Sequence, residues 1–246
     1  MELLLDAIRW LLSPDNYVGA GSIHQRVVEH LLYTVGATLV AATIAIPLGY
    51  LIGHTGRGGT WIVGLSGAAR ALPSFGLILL LVLLLGVSGR EVAALIALVV
   101  LGIPPLLAGT YAGIQQISRA TVDAARAQGM TEWQILTKVE IPLSLPLVFG
   151  GLRGAVLQIV ATATLIAYVG LGGLGYDIIQ GIPLRAFDQT LGAALVIVIV
   201  ALVLDGFLAF VTRLITPPGV RRGRLDDVRA RDSGTTPVTS EVASPQ

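Results

Sequence analysis

The stretch from Leu31 to Gly53, LLYTVGATLVAATIAIPLGYLIG, contains no charged residue. Its length matches the roughly 17 to 25 residues that a helix needs to cross the hydrocarbon core of a bilayer. Arg26 and Glu29 precede it, and Arg57 follows it. The stretch therefore predicts a membrane-spanning helix, and with it a chain whose surroundings are largely lipid.

Four further apolar stretches follow the first one. Together the predicted spans are 31–53, 60–86, 92–118, 143–169 and 189–212. The second span is interrupted by Arg70 and Pro73, and the third carries two prolines. Membrane helices tolerate proline where neighbouring groups satisfy the freed carbonyls. We therefore expect an all-α polytopic membrane protein with about five transmembrane helices.

The composition of the chain agrees with this class. Of 246 residues, 54% are hydrophobic and 13% are charged, against a charged share of roughly a quarter in soluble domains. The net charge of +1 offers no basic surface for nucleic acid. The absence of cysteine excludes disulfides, thiolate metal sites and cysteine nucleophiles. His24, His30 and His54 lack metal-ligand spacing, so we expect no metal and only surface or interfacial roles for them.

The two ends of the chain differ from its centre. Residues 1–12 are apolar but begin with acidic residues and lack a small-residue cleavage site, so they predict an amphipathic segment at the membrane surface, not a signal peptide. We assign 1–27 as an N-terminal extracytoplasmic or interfacial segment and 28–216 as the transmembrane domain. Residues 217–246 are polar, and we expect them to form a disordered cytoplasmic tail.

Basic residues in short flanking segments indicate the cytoplasmic side of a membrane protein. With five spans, the loops and termini alternate between two sides. One side holds Arg57, Arg119, Arg126, Lys138, Arg213, Arg221, Arg222, Arg224, Arg229 and Arg231, whereas the other holds Arg9, Arg26, Arg90 and Arg185. The excess predicts an outside N-terminus, a cytoplasmic C-terminus and a cytoplasmic loop at 118–142.

The loop at 118–142 predicts a hairpin of two short helices. Ser118 is a suitable N-cap for the first helix, and Gly129 stands where a left-handed residue would end it. Thr131 and Gln134 form a capping-box pattern for the second helix, which we expect Pro142 to stop. Small residues on the first helix permit close contact, and Trp133, Ile135, Leu136 and Val139 provide an apolar face on the second. On physical grounds alone, a docking element and an ordinary capped loop both fit.

This loop resembles the coupling motif of ABC-importer permeases, Glu-Ala-Ala, three residues, Gly, nine residues, then Ile-x-Leu-Pro. The matching positions are Asp123, Ala124, Ala125, Gly129, Val139, Ile141 and Pro142. Asp replaces the leading Glu, Val replaces Ile and Ile replaces Leu, while the spacing is kept. The resemblance implies that the hairpin inserts into a cleft of an ATPase subunit. Gly129 would set the hairpin angle, Ala124 and Ala125 the close contact, and Asp123 a polar contact.

The resemblance extends over about residues 28–215 and is similar in detail to osmoprotectant permeases, which carry glycine betaine, choline or carnitine. The stretches 70–80, 125–153 and 162–182 carry it, although permeases resembling methionine importers share a GGLG turn. It implies the type I ABC-importer (methionine-importer-like) permease fold in the bacterial cytoplasmic membrane. It also implies a second permease, identical or related, two ATPase subunits and an extracytoplasmic binding protein. ATP and Mg²⁺ would bind the ATPase, because this chain has no GxxxxGK[ST] loop.

Several small or flexible residues are candidates for the translocation path and its gate. Pro73, Ser74, Thr162 and Thr164 either face the path or join helices by hydrogen bonds in lipid. A glycine cluster follows the fourth span, where it forms either an outer gate turn or an ordinary flexible loop. Its members are Gly170, Gly172, Gly173, Gly175 and Gly181.

Three ionisable residues lie within the predicted spans, where a charge costs roughly 2.5 to 3.5 kcal/mol even on the mildest scale. At ~1.5 Å per residue, Arg153 and Asp205 lie about 15 Å and about 12 Å from the cytoplasmic ends of their spans. Because these depths agree, we expect the two to pair and join spans four and five. Arg70 has no evident partner.

Two other classes of protein compete with a transport permease. An intramembrane enzyme needs paired catalytic groups within its spans, and Arg70, Arg153 and Asp205 do not supply such a set. A passive channel or a membrane assembly factor does not need the cytoplasmic hairpin. Deleting 121–138 separates these classes, because a channel keeps its flux and an importer permease loses its ATPase.

Overall fold

The computed structural model describes residues 2–216 of the chain, apart from 61, 63, 65, 66 and 68–70. Arg70 and the tail 217–246 therefore lie outside the described residues. The main helices are α1 (Glu2–Leu12), α2 (Ile23–Thr55), α3 (Ser74–Leu85), α4 (Arg90–Gln115), α5 (Arg119–Ala127), α6 (Glu132–Val169), α7 (Gly175–Leu184) and α8 (Phe187–Ile215). Within the described part of the chain no β-strand occurs, so the predicted all-α class is confirmed.

Four of the described helices are long and apolar enough to cross a membrane: α2, α4 with its preceding turn, α6 and α8. They contain the predicted spans 31–53, 143–169 and 189–212, whereas α4 ends at Gln115, three residues before the end of the predicted span 92–118. The remaining predicted span, 60–86, includes undescribed residues, and its described part contains α3, a helix of 12 residues. Helix α2 begins at Ile23, several residues before the predicted span.

The core of the bundle lies where α4 packs along both α2 and α6. Its buried side chains are mostly small or branched: Ala37, Ala41 and Ala45 from α2, Ala94, Ala97 and Leu98 from α4, and Ala155, Ile159 and Ala163 from α6. Small residues let membrane helices approach closely. The van der Waals contacts made in this way hold the helices together in lipid, where no hydrophobic effect drives their association. The three helices therefore form the rigid centre of the protein.

The closest approach in this centre joins α4 to α6 at two glycines. A methyl group on Gly109 would lie 2.6 Å from the Cα of Gly151, and one on Gly151 would lie 2.7 Å from the carbonyl oxygen of Pro105. Real Cβ atoms do not come this near to backbone atoms. Only glycine at both positions permits this spacing of the two helices.

The N-terminal helix α1 packs against α8. Trp10 covers Gly192 so tightly that a methyl group there would collide with its indole ring. Helix α1 is amphipathic, with Leu3, Leu4 and Leu12 exposed. We expected a surface-lying segment, and the structure adds that this segment docks on a spanning helix.

The two ends of the bundle carry different features. At one end, α5 and the start of α6 form a hairpin, and we call this the hairpin end. At the other end lies the segment Gly170–Gly175 between α6 and α7, and we call this the loop end. Helix α2 runs from the loop end, at Ile23, to the hairpin end, at Thr55.

Candidate functional site

The first helix of the hairpin, α5, has a cap at each end. The Ser118 side chain accepts a hydrogen bond from the backbone N–H of Thr121 at 3.3 Å. After the helix ends, Gly129 has φ +79°, and its N–H donates to the carbonyl of Arg126 at 2.9 Å. The N–H of Met130 reaches back to Ala125 at 3.3 Å, which completes a C-terminal cap of the left-handed type. The predicted start and end of this helix are confirmed.

The second helix begins as predicted but does not end as predicted. The hydroxyl of Thr131 accepts from the N–H of Gln134, whose side chain in turn accepts from the N–H of Thr131. The expected stop at Pro142 is wrong, because α6 continues through it. A π-helical segment at Leu136–Glu140 precedes the proline. A wider turn of this kind changes the hydrogen-bond partners, so the helix passes a proline that would break a regular ladder.

The hairpin presents a concave surface beside α5. The concavity measures about 520 Å³ and is lined by Ala120, Thr121, Ala124, Ala125, Gln128, Met130 and Val139. Ala124 is exposed and Ala125 is buried in the isolated chain. Trp133 is 71% exposed, whereas Ile135 is fully buried. The residues of the predicted apolar face therefore do not all lie on one surface. The exposed indole lies on the surface and the isoleucine anchors the hairpin.

An ion-pair network joins the two helices of the hairpin. The guanidinium of Arg126 donates to both carboxylate oxygens of Glu132, at 2.8 and 3.1 Å. It also donates to Asp123 at 3.3 Å. Arg126 thus connects the leading acidic residue of the motif to the first turn of the second helix. A bidentate arginine–carboxylate pair has a defined geometry, which favours one angle between the helices.

A second contact joins the hairpin to the end of α2. The Nδ1–H of His54 donates to Glu140 Oε2 at 2.6 Å, and its Nε2 lies 3.5 Å from Glu132 Oε2. Glu140 is only 5% exposed. The sequence did not reveal this contact, because 86 positions separate the two residues.

We expected only surface or interfacial roles for the histidines, and this expectation is wrong for His30. Its side chain is fully buried and donates through Nε2 to the carbonyl of Val160 at 3.1 Å.

The glycine segment at the loop end is held by the first turns of α2. Gly170 and Gly173 have φ of +75° and +84°, which strongly favours glycine. The N–H of Gly173 donates to Glu29 Oε2 at 2.8 Å, and Gly172 leaves room for that carboxylate. Gly175 packs against the backbone of Thr164. The segment is therefore tethered, and the alternative of a flexible loop does not describe it.

A buried ion pair lies next to this tether. Arg26 Nη1 lies 3.1 Å from Asp177 Oδ1, and its guanidinium covers the ring of Tyr176 at 4.1 Å. Gln189 donates to the same carboxylate at 3.1 Å. Burial raises the pKa of the Asp177 carboxyl, while Arg26 and the Gln189 hydrogen bond oppose the rise. Sequence patterns did not single out this pair, which joins α2 to α7.

The remaining candidate residues occupy different parts of the bundle. Thr162 is buried and donates to the Gln158 carbonyl at 2.8 Å, while Thr164 donates to the Ala161 carbonyl at 2.7 Å. Each hydroxyl therefore bonds within its own helix. Pro73 is exposed and Ser74 half-buried at the start of α3, whereas Arg70 lies outside the described residues. Arg153 and Asp205 form the expected ion pair between α6 and α8.

The long apolar helices define a multi-pass membrane protein that carries a capped hairpin at one end and a tethered glycine segment at the other. Residues 45–218 match the family of binding-protein-dependent transport system inner membrane components. Since that match covers more than half of the chain, the protein belongs to this family. The family is that of ABC-transporter permeases, which agrees with the resemblance seen in the hairpin motif.

Several curated relatives are osmoprotectant permeases. The chain is 32% identical over 88% of its length to the osmoprotectant import permease protein OsmW of Salmonella typhimurium, all of which is covered. It is 31% identical over 80% of its length to the carnitine transport permease protein OpuCB of Listeria monocytogenes, 89% of which is covered. The glycine betaine/carnitine/choline permease OpuCB of Bacillus subtilis is also 31% identical, over 82% of this chain and 92% of the relative.

A solved structure shares the fold. The chain superposes on an inward-facing structure of the MetNI methionine ABC transporter with a TM-score of 0.70, covering 79% of this chain and 96% of that one. The sequences are 20% identical, so the likeness concerns the fold alone. The expected methionine-importer-like permease fold is confirmed.

Proposed function

We propose that this permease carries an osmoprotectant quaternary amine, such as glycine betaine, choline or carnitine, into the cell. The observation that carries the proposal is the similarity along most of the chain to relatives with those names. A methionine-like or other small solute is the second candidate, and the shared fold with the methionine transporter favours it. The sequence relationship to the osmoprotectant permeases is closer, which is why we place them first.

The hairpin is the docking element for the ATPase in this proposal. Its concave surface beside Ala124 and Ala125 is open, and Trp133 projects from it. The hairpin end is cytoplasmic and the loop end extracytoplasmic, because the basic residues of the loops concentrate on the hairpin side. ATP and Mg²⁺ then bind the ATPase subunits, and this chain converts their closure into movement of its helices.

Selectivity for the substrate resides mainly in the extracytoplasmic binding protein. Tight recognition of a quaternary ammonium uses several aromatic ring faces around the cation. Only 6% of the residues in this chain are aromatic. A path through small side chains, with the binding protein delivering substrate to the loop end, accounts for this composition. A second permease, identical or related, completes the path.

Uptake by the reconstituted transporter tests this proposal. The permease, its ATPase and its binding protein are placed in liposomes and supplied with labelled glycine betaine, choline, carnitine and methionine. We expect ATP-dependent uptake of at least one quaternary amine and none of methionine. Uptake of methionine alone would favour the second candidate. Flux without ATP that survives deletion of 121–138 would identify a channel and refute both.

A further inference from the structure

The hairpin is joined to the membrane domain by a joint within α6. The five residues Leu136–Glu140 form a π-helical segment between the hairpin turn at Glu132–Ile135 and the long helix at Ile141–Ala163. A π-bulge is one of the places where helices kink, and it is frequently found at functional sites. Pro142 follows directly and lacks a backbone N–H. A push on the hairpin therefore meets a soft element before it reaches the membrane.

A single side chain from another helix contacts the last residue of this joint and the hairpin helix that precedes the joint. His54, in the last turn of α2, donates to Glu140 at 2.6 Å and lies 3.5 Å from Glu132. Glu132 opens the second hairpin helix, and Glu140 is the last residue of the π segment. The imidazole thus lies alongside the joint and contacts the hairpin helix before the π segment and the last residue of the segment itself. Glu132 also carries the Arg126 ion pair, so the contact extends to the first hairpin helix.

The helix that supplies this histidine is itself firmly packed. The side chain of Gln115 donates to the carbonyl of Gly53 at 3.3 Å. A methyl group on Gly53 would lie 2.8 Å from Ile114, so α2 and α4 touch at this level. His54 is therefore held by the rigid centre of the bundle, while the hairpin projects beyond it.

We propose that His54 is a positioning residue that braces the π joint, so that displacement of the hairpin moves α2 together with α6. The inference rests on the proposed role of the hairpin as the ATPase docking element. Without the brace, the π segment absorbs part of the displacement, and ATP hydrolysis continues with less transport. The quantity that reports on the brace is the number of substrate molecules moved per ATP hydrolysed.

The first experiment measures this ratio in proteoliposomes containing the complete transporter. In His54→Ala we expect it to fall about 3- to 30-fold, the range of coupling changes seen for mutations between linked sites. His54→Gln keeps an amide donor for Glu140 and should retain most of the ratio. Thr55→Ala is the matched control, because the exposed Thr55 hydroxyl donates to the Leu51 carbonyl and accepts from the Arg57 N–H, and neither bond reaches the hairpin. An unchanged ratio in His54→Ala would overturn the proposal.

A second variant separates positioning from stability. Removing His54 leaves the buried Glu140 charge without its partner, which can unfold the hairpin junction. The double variant His54→Ala/Glu140→Gln removes both the contact and the charge. We expect this variant to assemble with the ATPase and to show the same low ratio. Recovery of the wild-type ratio would mean that the histidine only neutralises a buried carboxylate, and the proposal would be wrong.

A chemical cross-link between positions 54 and 140 tests whether the lost coupling can be restored. The chain contains no cysteine, so within the permease the double variant His54→Cys/Glu140→Cys reacts only at the introduced positions, and it is treated with the thiol reagents before the other subunits are added. We expect a low ratio in the reduced protein and a higher one after treatment with a short bifunctional thiol reagent. Blocking both thiols with a monofunctional reagent should give no recovery. A ratio that stays low after cross-linking contradicts the brace, whereas absent uptake in the wild-type complex contradicts the proposed function instead.

Discussion

Arg153 Nε and Nη2 each lie 2.7 Å from a different carboxylate oxygen of Asp205, so α6 and α8 are joined by a bidentate ion pair. The two side chains are 37% and 27% exposed in the isolated chain. In a membrane that remaining exposure faces lipid or another subunit. A pair in such surroundings holds two helices at one relative height, because sliding would separate the charges.

Reversing either charge of this pair should damage the protein. Arg153→Asp or Asp205→Arg places two like charges together, and each unpaired charge costs roughly 2.5 to 3.5 kcal/mol in a membrane helix. We expect a low yield of monodisperse protein from each single variant. The exchanged pair, Arg153→Asp/Asp205→Arg, should recover yield and uptake. If the exchanged pair behaves like the single variants, the ion pair is not what joins the helices.

This ion pair was predictable from the sequence, whereas the contact of His54 with Glu140 was not. Helical rise converts position into depth, and only two ionisable residues of spans four and five lie at matching depths. The caps at Ser118, Gly129 and Thr131 were also predictable, because capping is decided by residues a few positions apart. His54 gave no such signal. Its partner lies 86 positions away on an element whose local geometry changes at a π segment.

Pro142 shows where a local rule gave a wrong prediction. Proline breaks a regular helix because it removes a hydrogen bond and crowds the preceding turn. In α6 the π segment before it changes that turn, and the helix continues into the membrane. Pro142 therefore lies at the boundary between the hairpin part and the membrane-spanning part of α6 without ending the helix. Sequence rules for isolated helices do not include this arrangement.

The glycine contact between α4 and α6 predicts a strong difference between neighbouring substitutions. Gly151→Ala places a methyl group 2.7 Å from the Pro105 carbonyl, and overpacking of this kind costs about 1–3 kcal/mol. Gly150→Ala meets no atom within 4 Å and should be neutral or slightly stabilising. Thermal unfolding in detergent measures both. Equal unfolding midpoints for Gly151→Ala and Gly150→Ala would show that α4 and α6 can move apart at this contact without loss of stability.

The turn of the hairpin predicts a selective loss of ATPase binding. At Gly129, φ is +79° and the surrounding space is open, so Gly129→Ala introduces backbone strain of about 1–2 kcal/mol and no clash. We expect the affinity for the ATPase to fall roughly tenfold while the membrane domain keeps its thermal stability. Gln116→Ala, at an exposed position with φ −81° that does not line the concave surface, is the control. Unaltered affinity in Gly129→Ala would show that the angle of the hairpin does not govern docking.

The tether at the loop end predicts a local change in amide exchange. Glu29 accepts from the N–H of Gly173 at 2.8 Å and from the side chain of Gln25 at 2.8 Å. Losing a hydrogen bond to a charged acceptor should speed exchange at 170–175 by roughly 10- to 100-fold in Glu29→Ala. Glu29→Gln keeps an acceptor and should show a smaller effect. Hydrogen exchange with mass spectrometry reads this segment directly, and exchange that is equal in all three proteins would contradict the tether.

The buried carboxyl of Asp177 predicts a pH dependence with a defined sign. Burial raises its pKa in the folded protein above the ordinary value of about 4. The folded state therefore binds the proton more tightly than the unfolded state, so the contribution of Asp177 to stability is present below that value. It is lost as the pH rises through the folded pKa. Asp177→Asn does not titrate at this position.

The measurement is the difference in unfolding midpoint between wild type and Asp177→Asn at several pH values. We expect wild type to lose stability relative to the variant as the pH rises above about 4, since only wild type must bury a charge at the higher pH. Arg26 and Gln189 oppose the raised pKa, so removing the Gln189 hydrogen bond in Gln189→Ala should steepen the loss. A difference that is constant with pH, or that grows in favour of wild type, would show that Arg26 compensates the burial of Asp177 in full.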